Sequence, residues 1–179
     1  MNIKQLPAEE IARIGEIDRS EHVTTGYRYR DGELKAESVD WQVPRWPNDD
    51  SAHGIITHIK AWKPYLDQNG VLLGAFEDST LVGFAIFRPN LTDSLTDSMA
   101  QLAVLHISRD FRRKGIARAL TEQVVQLARK SGAKSLYVSA TPSESAVGFY
   151  RSQGFELVDD PHPELYALEP DDIHMIKTL

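Results

Sequence analysis

The chain has 179 residues, 41% hydrophobic and 26% charged, with a formal net charge of -6 at pH 7 and no cysteine. That length is enough for one domain with a sizeable core, and no apolar run approaches membrane-spanning length. The lack of cysteine excludes disulfides, thiolate nucleophiles and cysteine-ligated zinc, while the acidic balance argues against nonspecific nucleic-acid binding and suits a cationic partner. Residues 1–6 carry no secretory h-region, so a cytoplasmic location is the expectation.

In chain order, Asn2 to Leu6 predicts a short strand, and Pro7 opens a helix with Ile11, Ile14 and Ile17 at helical spacing. Residues 18–50 read as an irregular connection holding the carboxylates Glu21, Asp31, Glu37 and Asp40 with Trp41 and Trp46; within it, Tyr27 to Lys35 predicts a small hairpin about Asp31-Gly32. A connection of this length is either functional or plain surface cover. A helix follows from Ala52 to Asp67 with Ile55, Ile59, Trp62 and Leu66 on its buried stripe, and Pro64 is expected to kink or shorten it. Val71 to Glu77 and Leu81 to Arg88 predict an antiparallel hairpin, followed by a polar loop over Leu91 to Ser98.

Gln101 to Ser108 then reads as a strand buried on both faces. After a short basic stretch, Arg112-Arg113-Lys114, Gly115 opens an amphipathic helix carrying Ile116, Leu120, Val124 and Leu127. The free amides and dipole of a first helical turn attract an anion, the three cations reinforce it, and Gly115 with the small Ala117 leaves the backbone approachable. This strand, basic loop and helix suit a phosphate chain, yet neither a Gly-Lys-Ser/Thr P-loop nor a G-x-G-x-x-G turn is present. Downstream, Ser135 to Ala140 predicts another strand, and Thr141-Pro142-Ser143-Glu144 has the form of a capping box with Thr141 as the cap. The helix it opens carries Ala146, Phe149 and Tyr150 and stops at Gly154; Phe155 to Val158 and Asp172 to Lys177 predict a last strand pair across a proline-bearing connection.

Arg112-x-x-Gly115-x-Ala117 behind a hydrophobic strand resembles the acetyl-CoA pyrophosphate loop of the GCN5-related N-acetyltransferases (GNAT). Ala146-Val147-Gly148-Phe149-Tyr150, ending in Gly154-Phe155, resembles the same family's fourth-helix signature. The resemblance implies an α/β (α+β) fold over 1–179 as one domain: a central mixed, mostly antiparallel sheet of about seven strands flanked by about four helices. That sheet would splay between 101–108 and 135–140, where acyl-CoA enters. The resemblance further implies acetyl-CoA as donor, with Arg112, Arg113, Lys114, Gly115, Ile116, Ala117 and Arg118 at its pyrophosphate and the Leu105, His106 and Ile107 backbone along its pantetheine arm. Ser143 departs from the family in standing where many members have Asn; its hydroxyl is expected to hold either a water or the pantetheine arm of the cofactor. No metal is expected, because the six histidines lack ligand spacing. Homodimers are common in the family.

Acetyl transfer to an amine needs a neutral nucleophile, a home for the oxyanion and a proton for the departing thiolate. An alkylammonium of pKa ~10 loses its proton at pH 7 at a cost of about 4 kcal/mol, so a base or a desolvating pocket is required. Tyr150 matches the family's general acid; its alternative is a tyrosine that merely packs beside the cofactor. Where some relatives carry Glu or His early in the central strand, this chain has Gln101 and Ala103. The candidate bases are therefore His106, which strand alternation turns away unless a bulge intervenes, and Glu21, Asp31, Glu37 or Asp40. The resulting expectation is an N-acetyltransferase acting on the primary amine of a small molecule, with a cation held through Trp41, Trp46 or the tyrosines. A protein N-terminus or lysine as acceptor, and a noncatalytic acyl-CoA-binding module, are the alternatives.

Overall fold

A computed structural model describes residues 1–91 and 98–179; most of the predicted 91–98 loop lies outside the described residues. Strands β1 (Asn2–Leu6), β4 (Val71–Glu77), β5 (Thr80–Arg88), β6 (Met99–Ile107), β7 (Ser135–Ala140), β8 (Glu156–Leu157) and β9 (Ile173–Thr178) form one sheet in the order β1-β4-β5-β6-β7-β9-β8, while β2 (Glu21–Arg30) and β3 (Glu33–Val43) pair as a separate ribbon. Every neighbour is antiparallel except β6 with β7. Helices α1 (Ile55–Asp67), α2 (Ile116–Lys130), α3 (Glu144–Ser152) and α4 (Pro163–Leu168) complete the expected mixed architecture. Among the described residues, no helix is long and apolar enough to cross a membrane.

The sheet is apolar on both faces, so a core forms on each side. On one face the α2 stripe of Ile116, Leu120, Val124 and Ala128 packs with Leu102, Leu136 and Val138; on the other, Ile11, Ile14, Trp46 and Ile55 pack with Leu72, Phe84 and Ile86. Fully buried side chains of this size each stabilise the fold by about 1.5–3 kcal/mol.

Several segments differ from the sequence reading. Residues Ala8–Glu16 form a 3-10 helix rather than an α-helix, and the reason is in the stripe itself: Ile11, Ile14 and Ile17 recur every three residues, the 3-10 period, and all three are buried. The predicted small hairpin has its turn where expected, with Asp31 and Gly32 in left-handed conformation (φ 53° and 76°), but its strands run on through Glu21–Arg30 and Glu33–Val43. Helix α1 continues past Pro64 to Asp67, with Gln68 N–H donating to the Pro64 carbonyl at 3.2 Å. The proline-bearing connection before β9 contains α4, with Pro163 in its first turn.

Candidate active site

Strands β6 and β7 pair only through Met99–Gln101 with Ser135–Tyr137 and then part. Beyond that point β6 continues on β5 and β7 on β9, so the inner edges of residues 102–107 and 138–140 face an opening. A register shift against β5 places a bulge in β6 between Leu102 and Val104. The bulge resets the alternation: Leu105 and Ile107 pack on the α2 face, while His106 turns to the Trp46 face. The intervening bulge thus brings His106 to the face that Ala103 shares, against Trp46, rather than opposite it, and it decides what surrounds the ring.

The opening continues into a groove of about 990 Å³. Its floor is Leu105, His106 and Ile107; one side is the loop and first turn of α2, from Arg112, Arg113 and Gly115 to Ile116, Ala117 and Arg118; the other side is α3, with Ser143, Phe149 and Tyr150. The structure thus brings Tyr150 and the expected cofactor-contact residues together, with one exception. Lys114 does not line the groove; its ammonium lies 4.7 Å from the centre of the Phe111 ring. Gly115 adopts φ 81°, and nothing stands within 4 Å of where a Cβ would project, so the backbone at the α2 N-terminus is open to a ligand. Arg113, just before it, is also left-handed at φ 60°, a conformation rarely accepted by a long side chain.

Arg112 lines the groove, but its guanidinium is committed to the protein. Its Nε donates to the Ile107 carbonyl (3.2 Å), its Nη2 to the Arg19 carbonyl (2.9 Å), and its Nη1 lies 3.1 Å from Glu21 Oε2. It staples the loop to the end of β6 and to the root of the β2–β3 ribbon. Asp18 N–H donating to Ser108 Oγ (3.0 Å) and Arg109 N–H donating to the Asp18 carbonyl (2.8 Å) fasten the same root. At mid-length the ribbon docks on the start of α3, where Tyr27 N–H donates to the Pro142 carbonyl (2.8 Å) and Gly26 bridges Ser143. The ribbon therefore straps the open ends of β6 and β7 and supplies the fourth wall: Glu21, Val23, Trp41 and Val43. Gly26 is required here, since a Cβ on it would lie 2.8 Å from the Trp41 ring.

At α3, Ser143 is the N-cap, accepting from Ala146 N–H at 3.3 Å, so the cap is two residues later than the capping-box reading with Thr141. Tyr150 is 7% exposed between Phe149 and Phe155. Burial, with Asp172 adding negative charge, pushes its phenol well above the ordinary range, so it stays protonated at neutral pH. His106 is packed against Trp46, Phe84 and Trp62 at ring-centre distances of 4.9, 5.7 and 6.3 Å. Burial, reinforced by Arg19, Arg112 and His58, depresses its imidazole to about 3, so it is neutral in the cell's pH range and a very weak base. Of the four candidate bases among the carboxylates, Glu21 alone lines the groove, beside Glu144 at the start of α3; Glu37 pairs with Arg28 (2.8 Å), Asp40 with His22 (2.6 Å), and Asp31 sits at the ribbon turn. The face of Trp46 is occupied by Arg19, leaving Trp41, 40% exposed, as the tryptophan open to the groove. Arg19 was not singled out from sequence; only the fold brings it to β6.

Residues 35–155 match the model of the acetyltransferase (GNAT) family. The chain belongs to that family. Its enzymes use acetyl-CoA as acetyl donor. The chain is 32% identical over 96 residues to human N-acetyltransferase 8, a match spanning 52% of this chain and 42% of that protein, so it covers less than half the length of that relative. In fold it is similar to a nourseothricin acetyltransferase (TM-score 0.71, 20% identity, 99% of this chain and 97% of that one). A Bacillus anthracis protein assigned as a streptothricin acetyltransferase, solved with acetyl-CoA, is also similar (0.68, 17%, 98% and 95%). So is the PaiA N-acetyltransferase of Thermoplasma acidophilum with CoA (0.58, 18%, 100% and 100%).

Proposed function

We propose that the chain transfers an acetyl group from acetyl-CoA to the primary amine of a small molecule. The observation that carries this reading is the strapped groove: the ribbon docks across the open ends of β6 and β7, through Gly26 against Ser143 and Tyr27 against Pro142, which leaves less room for an extended peptide than an open cleft would. The two most similar folds described above belong to proteins named as nourseothricin and streptothricin acetyltransferases, which favours the same class.

In this reading the amides at the start of α2, with Arg113 and Arg118, hold the pyrophosphate, and the unpaired edge of β6 at Leu105 to Ile107 lies along the pantetheine arm. Backbone N–H groups on that edge meet negative charge on the reacting carbonyl oxygen, a kind of contact typically worth ~3 kcal/mol. Arg112 contributes by fixing the loop rather than by meeting phosphate with its own charge. Tyr150 supplies the proton to the leaving sulfur. Its raised pKa makes it a weaker acid, and the dry environment responsible also makes the thiolate more basic, so the two remain matched. For the amine, Glu21 is the one candidate base that lines the groove, and it takes the proton directly or through water. The test is thiol release from acetyl-CoA with small amines and, in parallel, with short peptides bearing a free N-terminus or lysine. Faster release on a small amine supports the reading; release confined to peptides replaces it with a protein acceptor.

A further inference from the structure

Arg19 is a cation in the groove wall without a carboxylate. It is half-buried, it enters no salt bridge among the described residues, and its Nε is buried with no hydrogen-bond partner. The nearby acids are taken: Glu21 is paired with Arg112 at 3.1 Å, and Asp18 with Arg45 at 2.7 Å. Burying a guanidinium in this way is costly, and burial alone drives its ionisation downward.

The side chain is nonetheless held in place. Arg112 grips its carbonyl from below at 2.9 Å, and its guanidinium lies 5.2 Å from the centre of the Trp46 ring. Around that ring two more buried nitrogens lack partners: Trp46 Nε1, on a residue only 9% exposed, and Nε2 of His58, whose ring centre is 5.8 Å from that of Trp46. Neither Trp46 nor His58 lines the groove, whereas Arg19 does; its guanidinium can only donate, so what it lacks there is an acceptor, and one with negative charge. The charge count limits it further: with Glu21 and Arg112 cancelling, one positive charge on this wall is uncompensated, which matches a monoanion. A carboxylate fits the planar guanidinium by two parallel hydrogen bonds. His106, on the groove floor, lies 4.9 Å from the same Trp46 ring, so the cluster borders the part of β6 assigned to the transfer.

We propose that Arg19 receives a carboxylate of the acceptor, so that the acceptor is a small molecule carrying both a primary amine and a carboxylate. The inference rests on the acetyl-transfer reading for the role of the amine, but the carboxylate site is testable separately.

Two measurements on the full chain test it. The first compares kcat/KM for acetyl transfer to L-amino acids, their carboxamides and the amines left by decarboxylation, in the wild type and in Arg19→Met, which keeps the stem on Trp46. The expected result is a preference for the free carboxylate of about tenfold or more, erased in Arg19→Met, with acetyl-CoA affinity unchanged as the check on folding. The second follows tryptophan fluorescence of the CoA complex during titration with N-acetylglycine and with N-acetylglycinamide. A saturable response to the carboxylate alone, absent in Arg19→Met, is expected. Equal rates on acids and carboxamides, or no carboxylate-specific response, overturns the Arg19 assignment and leaves acetyl transfer standing. Carboxylate binding without thiol release from any amine overturns acetyl transfer and leaves the Arg19 site standing.

Discussion

Replacing Arg112 with Met separates two roles that an arginine in a phosphate-binding loop can play. In the structure the guanidinium bonds two carbonyls, of Ile107 and Arg19, and pairs with Glu21, the two side chains being 30% and 27% exposed. Hydrogen bonds from a charged donor are each worth about 1.5–3 kcal/mol when buried; solvent screening at this exposure halves that, and the methionine stem retains some packing, so the expected loss is roughly 2 kcal/mol. For a chain of 179 residues that is a fall in melting temperature of roughly 4–8 °C. Urea denaturation should show the midpoint falling at unchanged slope, while calorimetric titration should find the acetyl-CoA affinity altered by no more than about threefold, since backbone amides and Arg113 remain. Unchanged stability together with a collapse in acetyl-CoA affinity that weakens with salt would refute the staple and make Arg112 a phosphate ligand.

Three further outcomes are expected. Gly115→Ala should cost about 1–2 kcal/mol purely through its left-handed backbone, with a loss of acetyl-CoA affinity; equal affinity would mean the cradle is not where the pyrophosphate sits. Ser143→Ala should lower stability by about 0.5–1 kcal/mol and Thr141→Val by nothing measurable, the reverse ranking favouring a cap at Thr141. Asp172 is held up at about 7 by burial and by its neighbours Glu169 and Asp171. Its native form therefore keeps a proton that the unfolded chain releases near pH 4, giving stability that is complete below that pH and lost as pH rises through about 7, by about 4 kcal/mol at most. Urea midpoints from pH 4 to 8 should fall in the wild type and be flatter in Asp172→Asn; parallel profiles would contradict the assignment.

The parts legible in the sequence are those whose chemistry is local. The basic loop and Gly115 announce the start of α2 because an exposed first turn and a left-handed residue are written in neighbouring positions, and Tyr150 follows from the stripe that packs α3. The ribbon is harder to read: β3 is exposed at most of its positions, so no alternation marks it, and only the Asp31-Gly32 turn does. The 3-10 helix was legible in principle from the three-residue isoleucine spacing, which differs from the α period by a fraction of a residue per turn. The bulge in β6 and the placement of Arg19 over Trp46 were not legible, because each is set by contacts between segments distant in the chain. That is also why the side chains of His106 and Arg112, both conspicuous in sequence, have surroundings that sequence spacing did not give.

The proposed acetyl transfer to a small-molecule amine with Tyr150 as proton donor stands or falls on thiol release from acetyl-CoA, measured in the wild type beside Tyr150→Phe. Release on a small amine is expected, with a fall in turnover of about tenfold or more in the variant and retained acetyl-CoA affinity. Turnover undiminished by the loss of the hydroxyl would contradict it.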